Sequence, residues 1–276
     1  MGQPKGIRVL EGSRTAVRNE HFVKQKSIRS GAHWQAHQFD GPDHLAASAA
    51  HQFLELMERS EGNQSVGLSG GRITESLFRE IARQSLVSAF PLDQLQFFWA
   101  DERCVPLDDP GSNYRLAKEL LFDPLKIDPS QTFPFAGGDT PKRTAEQGSS
   151  MICEHFGVGQ RETPVFDLIF LGMGEDGHIA SLFPENQAED LDRDEACYEV
   201  VASKPPPNRI TLSYSVLAAA REIWIVISGE GKANVLREAL QSDGTTPIKQ
   251  LLSLRRDTKI FTDISLDGIG SVVENE

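Results

Sequence analysis

Apolar positions along the chain switch repeatedly between strand and helix periods, and the switches mark alternating elements. Residues 33–39 read as a strand, and Pro42 with Asp43 then opens a helix whose Leu45, Ala49, Phe53, Leu56 and Met57 recur at helical spacing. Residues 65–68 form a short strand followed by glycines, and Thr74 is placed to cap a helix carrying Leu77, Phe78 and Ile81. The run 95–100 reads as a buried strand, Ser112 caps a helix through Leu121, and Pro141 suits the first turn of a helix ending near Phe156. The strongest strand spans 165–171. After it come β-rich stretches at 199–202 and 209–212 around the prolines 205–207, a short helix containing Leu217, a strand at 223–227, a helix at 233–240 and a strand at 259–261.

Strand, glycine turn and helix in repetition predict an α/β protein. The expected form is a single Rossmann-like domain with a mainly parallel sheet and helices on both faces, spanning residues 31–270. Residues 1–30 carry seven Lys and Arg side chains but also Glu11 and Glu20 and no clean amphipathic pattern. They read as a poorly ordered or extended N-terminal arm rather than a targeting segment.

Composition narrows the function classes. A net charge of -12 excludes a general role in binding nucleic acid or anionic membranes, so any anionic ligand needs locally gathered cations. Cys104, Cys153 and Cys197 share no CxxC spacing, which argues against a disulfide framework or thiolate metal site and fits a reducing, cytoplasmic setting. No apolar run approaches the ~20 residues that span a bilayer. His37, His44 and His51 recur every seven residues, too far apart along a helix to share a metal, and read as a partly exposed helix face. Cys153 with His155 is likewise a weak pair. No metal or cofactor is expected.

In parallel sheets ligands bind outside the carboxyl ends of the strands, so the polar loops there carry the chemistry. Ser69, Gly70, Gly71 and Arg72 form either a plain strand-to-helix turn or an anion cradle of backbone amides. Asp101, Glu102 and Arg103 end an apolar strand, either as an exposed ion-pair cluster or as the wall of a cleft. The loop 172–178 is the most informative: its glycines permit tight turns that aim Asp176 and His178 at one point, which makes His178 the candidate general base. Arg209 and Lys232 are either solvated surface charges or grips for a phosphate.

These blocks resemble the 6-phosphogluconolactonase family and, more distantly, the glucosamine-6-phosphate deaminases. The carrying segments are GLSGG (67–71), FWADERCVP (98–106) with SNYR (112–115), FDLIFLGMGEDGHIASLFP (166–184), RITL (209–212) and GEGKA (229–233). The resemblance implies a Rossmann-like fold without a dinucleotide. It implies that His178 activates water, that Asp176 and Asp101 shape the polar site, and that Arg103 faces the reacting end or the phosphate. Gly70, Gly71, Arg209 and Lys232 would hold the phosphate of a phosphorylated sugar lactone. Separately from the resemblance, a monomer or weak homo-oligomer is expected.

Two departures matter. The family usually follows its glycine pair with Ser, Thr and Pro, whereas Arg72, Ile73 and Thr74 stand here. In the deaminases a glutamate five residues beyond the histidine assists ring opening, and here that position is Phe183, which cannot transfer a proton. Deaminase chemistry and a non-catalytic sugar-phosphate binder are the competing readings.

Overall fold

In a computed structural model the described residues are 26–30, 33–136, 140–241, 244–269 and 271–273. The first part of the chain forms β1 (Lys26–Ser30), β2 (Trp34–Gln38), α1 (Pro42–Glu58), β3 (Gln64–Leu68), α2 (Arg72–Ser88), β4 (Leu95–Trp99) and β5 (Asp101–Arg103). Next come α3 (Asn113–Ala117), a π-helical turn Lys118–Phe122, α4 (Asp123–Leu125), α5 (Pro141–Phe156), β6 (Leu168–Leu171) and α6 (Gln187–Asp190). The chain continues through β7 (Cys197–Val201), β8 (Asn208–Leu212), α7 (Tyr214–Ala219) and β9 (Glu222–Ile227). It ends with α8 (Ala233–Leu240), α9 (Pro247–Leu254), β10 (Thr258–Thr262) and β11 (Ser271–Val273).

The strands β2-β10-β9-β6-β3-β4 are mutually parallel neighbours, and β1 and β11 extend the β2 edge in antiparallel sense. The central strands are buried on both faces, which explains their continuous apolar runs, such as LIFL in β6 and IWIVI in β9. Connections from β2 to β3 to β4 run one way across the sheet, and those from β6 to β9 to β10 run back. Right-handed crossovers therefore set α1 and α2 on one face and α7, α8 and α9 on the other. The packing agrees: α1 lies on α2, and α9 lies on both α7 and α8. The expected α/β architecture is present.

Local signals explain the helix ends. Pro42 and Pro141 occupy first-turn positions, and Ser112 caps α3 by accepting a hydrogen bond from the Arg115 amide. Thr74, expected as a cap, instead lies inside α2 behind Gly71, whose φ of 128° only glycine adopts without strain. Residues 26–30, assigned to the N-terminal arm by sequence, form β1, with Ile28 buried against the sheet; residues 1–25 lie outside the described residues. The strand expected at 165–171 is confined to β6. His37 belongs to β2, buried and stacked on Phe261, rather than to a helix face.

Residues 209–212 depart from the parallel sheet. β8 joins β5 and β7 in a separate antiparallel sheet of order β5-β8-β7. Because β5 follows β4 after the single residue Ala100, this small sheet stands directly over the carboxyl ends of the large one.

Candidate active site

Four contiguous strands, β9, β6, β3 and β4, send their following segments into one cleft. β3 and β6 are neighbours whose chains leave toward opposite faces, so the cleft lies at a topological switch point. From β3 come Ser69, Gly70, Gly71 and Arg72; from β5, Asp101 and Arg103. The loop after β6 contributes His178, β8 contributes Arg209, and the turn after β9 contributes Lys232. All of these line one pocket, and Asp176 joins it through His178.

The loop after β6 is folded to aim an imidazole. His178 Nδ1 lies 2.5 Å from Asp176 Oδ1, and the His178 amide donates to the same oxygen at 3.3 Å. Gly174 receives the pair: a Cβ there would sit 2.1 Å from His178 Nδ1 and 2.5 Å from Asp176 Oδ1. Gly177 turns at φ +79, and its carbonyl accepts from the Ile248 amide at 3.1 Å, pinning the loop to the start of α9. Burial opposes ionisation of Asp176, but the His178 charge, its two hydrogen bonds and Lys204 outweigh it and lower the pKa to about 2. In the neutral tautomer with its proton on Nδ1, the ring donates to Asp176 Oδ1 and Nε2 is free to accept a proton. The ring rests on Phe183, centroids 4.8 Å apart.

β5 separates three charged neighbours by strand alternation. Asp101 and Arg103 face the cleft, whereas Glu102 turns away and accepts the amides of Arg103, Asn113 and Tyr114 and the Ser112 hydroxyl. Glu102 thereby holds the start of α3, although burial pushes its pKa up against the pull of those amides. The buried Asp101 carboxylate accepts Ser69 Oγ at 3.0 Å and Ser181 Oγ at 2.9 Å. This commits the Ser69 hydroxyl to a carboxylate rather than to a ligand.

The cations gather for equally local reasons. Arg103 and Arg209 are directly opposed partners in the β5–β8 ladder, so both side chains leave the same face of the small sheet and line the cleft. Arg103 Nη1 donates to Gly111 O at 2.6 Å, and Arg209 Nε to Pro206 O at 3.1 Å, while the Arg209 head lies 5.7 Å above Phe183. Burial lowers the Arg209 pKa, with Asp101 opposing and Arg103 reinforcing. Burial also lowers that of Lys232, and Arg72 adds to it against Glu175 and Asp263. At the head of α2 the amides of Arg72 and Ile73 find no acceptor among the described residues and point out of the helix end. Crowding like charges is unfavourable alone and favourable around a dianion.

Sequence reasoning missed Ser181, Asn113 as a structural prop, and Lys204. Asn113 Nδ2 donates to Asp101 O at 2.8 Å and crowds Gly70, where a Cβ would meet its Oδ1 at 2.0 Å. The glycine is therefore required by packing. Lys204 Nζ lies 3.2 Å from Asp176 Oδ2. No helix among the described residues is long and apolar enough to cross a membrane.

The site is thus an imidazole paired with a carboxylate beside clustered cations, at the rim of a parallel sheet in an α/β protein. The chain belongs to the family described as glucosamine-6-phosphate isomerases/6-phosphogluconolactonase, whose profile matches residues 40–260. It is 33% identical over 207 residues to the 6-phosphogluconolactonase of Streptomyces coelicolor, covering 72% of this chain and 79% of that one. With the 6-phosphogluconolactonase of Treponema pallidum it shares 37% over 173 residues, 62% of this chain and 70% of that one. Among solved structures, the devB protein matches with a TM-score of 0.76 at 28% identity, covering 83% and 96% of the two chains. The 6-phosphogluconolactonase from Trypanosoma cruzi matches at 0.74 and 26%, covering 84% and 96%.

Proposed function

We propose that the chain hydrolyses 6-phospho-D-glucono-1,5-lactone to 6-phosphogluconate, the hydrolytic step of the oxidative pentose phosphate pathway, by a histidine-activated water. The carrying observation is the Asp176–His178 pair opening onto the cleft that holds Arg72, Arg103, Arg209 and Lys232. Membership of the family and the names of its relatives support the substrate.

A δ-lactone is an activated ester, so attack by water needs a base and little else. His178 Nε2 takes a proton as the water oxygen bonds to C1, and Asp176 stabilises the resulting imidazolium. The carbonyl electrons move onto oxygen, where Arg103, facing the cleft from the same strand as Asp101, supplies a stabilising cation. Collapse breaks the bond from C1 to the ring oxygen, and the imidazolium returns its proton to that oxygen, which becomes a hydroxyl. The phosphate, remote from C1, is gripped by Arg209, Lys232, Arg72 and the amides at the head of α2, and fixes orientation. The hydroxyl-bonded Asp101 keeps Arg103 and Arg209 from repelling each other apart.

The deaminase reading fares worse, because Phe183 packs against the imidazole where that chemistry needs a carboxylate. Acid release from the lactone, with spontaneous opening subtracted, beside ammonia release from glucosamine 6-phosphate, separates the readings. We expect acid release alone, and His178→Asn to lower kcat by roughly 10² to 10⁴. Wild-type turnover in that variant would overturn the assignment. The reading includes a cytoplasmic setting, supported by cysteines that are free among the described residues, and a monomer or weak homo-oligomer.

A further inference from the structure

Lys204 lies outside the motifs that carry the family resemblance, yet it reaches the base from behind. Its Nζ is 3.2 Å from Asp176 Oδ2, the oxygen that His178 does not use. It stands at the tip of the β7–β8 hairpin, closed by the Ala202 amide on Pro207 O at 2.7 Å. Successive prolines at 205–207 fix φ and stiffen this tip. The same hairpin supplies Arg209, anchored through Nε to Pro206 O. One rigid element therefore delivers a cation to the back of the dyad and another to the cleft.

We propose that Lys204 is a positioning residue for the base: its ammonium holds Asp176 Oδ2, keeps Oδ1 aimed at the imidazole, and offsets the carboxylate charge that would otherwise favour the protonated ring. The proposal rests on the reading of His178 as the base of lactone hydrolysis. A carboxylate beside a histidine has two opposed effects, since it orients the ring and also stabilises its protonated form. A protonated ring cannot accept a proton from water. A cation on the second carboxylate oxygen preserves the orientation while reducing the bias toward protonation.

Other charged groups face His178 from the cleft side: Asp101 and Arg103 on β5, Arg209 on β8 across Phe183, Arg72 heading α2 and Lys232 after β9. Among the described residues, only His178 and Lys204 hydrogen-bond to the Asp176 carboxylate. The Lys204 side chain is 57% exposed, and an exposed pair of this kind adds little to stability. A structural role and a positioning role are thus separable by experiment.

The test is the pH profile of kcat/KM for lactone hydrolysis in Lys204→Met, Lys204→Arg and His178→Asn. We expect Lys204→Met to keep the wild-type Tm and KM, to lose several-fold in kcat at pH 6.5, and to move the acid limb upward by roughly half a unit. Lys204→Arg should restore the limb. An acid limb in Lys204→Met that coincides with wild type would overturn the proposal, as would a raised KM with an unmoved limb, which would make Lys204 a substrate contact. An active His178→Asn defeats the base assignment itself, whereas an inactive one with an unmoved Lys204→Met limb defeats only the role of Lys204.

Discussion

His155 and His178 are the same residue in two opposite environments. His155, in the last turn of α5, is enclosed by Phe98, Phe133 and Phe156, with ring centroids 4.8, 4.7 and 5.3 Å away. Burial lowers its pKa, and no carboxylate answers it among the described residues. His178 also rests on a phenylalanine, but its second nitrogen is held by Asp176 and its open side faces cations. The two rings share an aromatic bed and differ in the carboxylate at Nδ1, so the proposed role of His178 rests on Asp176 rather than on the ring's aromatic neighbours.

Asp176→Asn should break the contrast most completely, because it leaves His178 with an aromatic neighbour and no ionised partner. The amide no longer stabilises an imidazolium or enforces a proton on Nδ1, and kcat should fall by roughly 10²-fold or more with KM little changed. Steady-state kinetics at a pH above the acid limb checks this. A variant with wild-type kcat would mean that Phe183 and the loop backbone orient the ring unaided.

Gly174→Ala probes the same geometry through the backbone and should cost less. The added Cβ would lie 2.1 Å from His178 Nδ1, so the loop must shift, and a displacement near 1 Å costs up to about 10²-fold in rate. We expect a fall of roughly 10-fold to 10²-fold in kcat, and a crystal structure of the variant should show the Asp176–His178 bond lengthened. Unchanged kinetics would show that the loop absorbs the methyl away from the dyad.

Much of this was readable in the order of residues because it is local. The period changes predict α1, β3, β4, α5 and β9, and glycines around Asp176 and His178 announce a loop that aims them. Adjacent charges in β5 are also visible, but their division needs the pleat and a partner: Glu102 is a helix-capping group only once Asn113 and Tyr114 come to it. Ser181 meets Asp101 and Lys204 meets Asp176 across sequence separations of 80 and 28 residues, and nothing in their own neighbourhoods signals it. β8 reads as a strand but not as a member of the second sheet, since strand membership is set by pairing with β5. α9 is a different case: Thr246 and Pro247, followed by buried Ile248, Leu251 and Leu252, are a readable start signal that the sequence reading passed over. β1, with the sequence KSIRS, holds a single apolar residue, Ile28, too little for a period.

The gentlest test sharpens the other half of the contrast. His155 sits near a helix C-terminus, which favours a positive ring, yet burial among phenylalanines prevails and lowers its pKa from the usual value. The unfolded chain takes up this proton near pH ~6.5 and the native chain only at lower pH, so in that window the unfolded state binds more protons. Stability contributed by the neutral ring is therefore present above that pH and is lost as the pH falls toward the native pKa. His155→Phe keeps the aromatic packing and removes the titration. Between pH 7.5 and 5.5, wild type should lose more unfolding free energy in urea than the variant, while kcat stays within about twofold. Equal losses would assign the acid sensitivity to another group, and a collapse of kcat would tie the aromatic nest to the active site through β4, from which Phe98 projects.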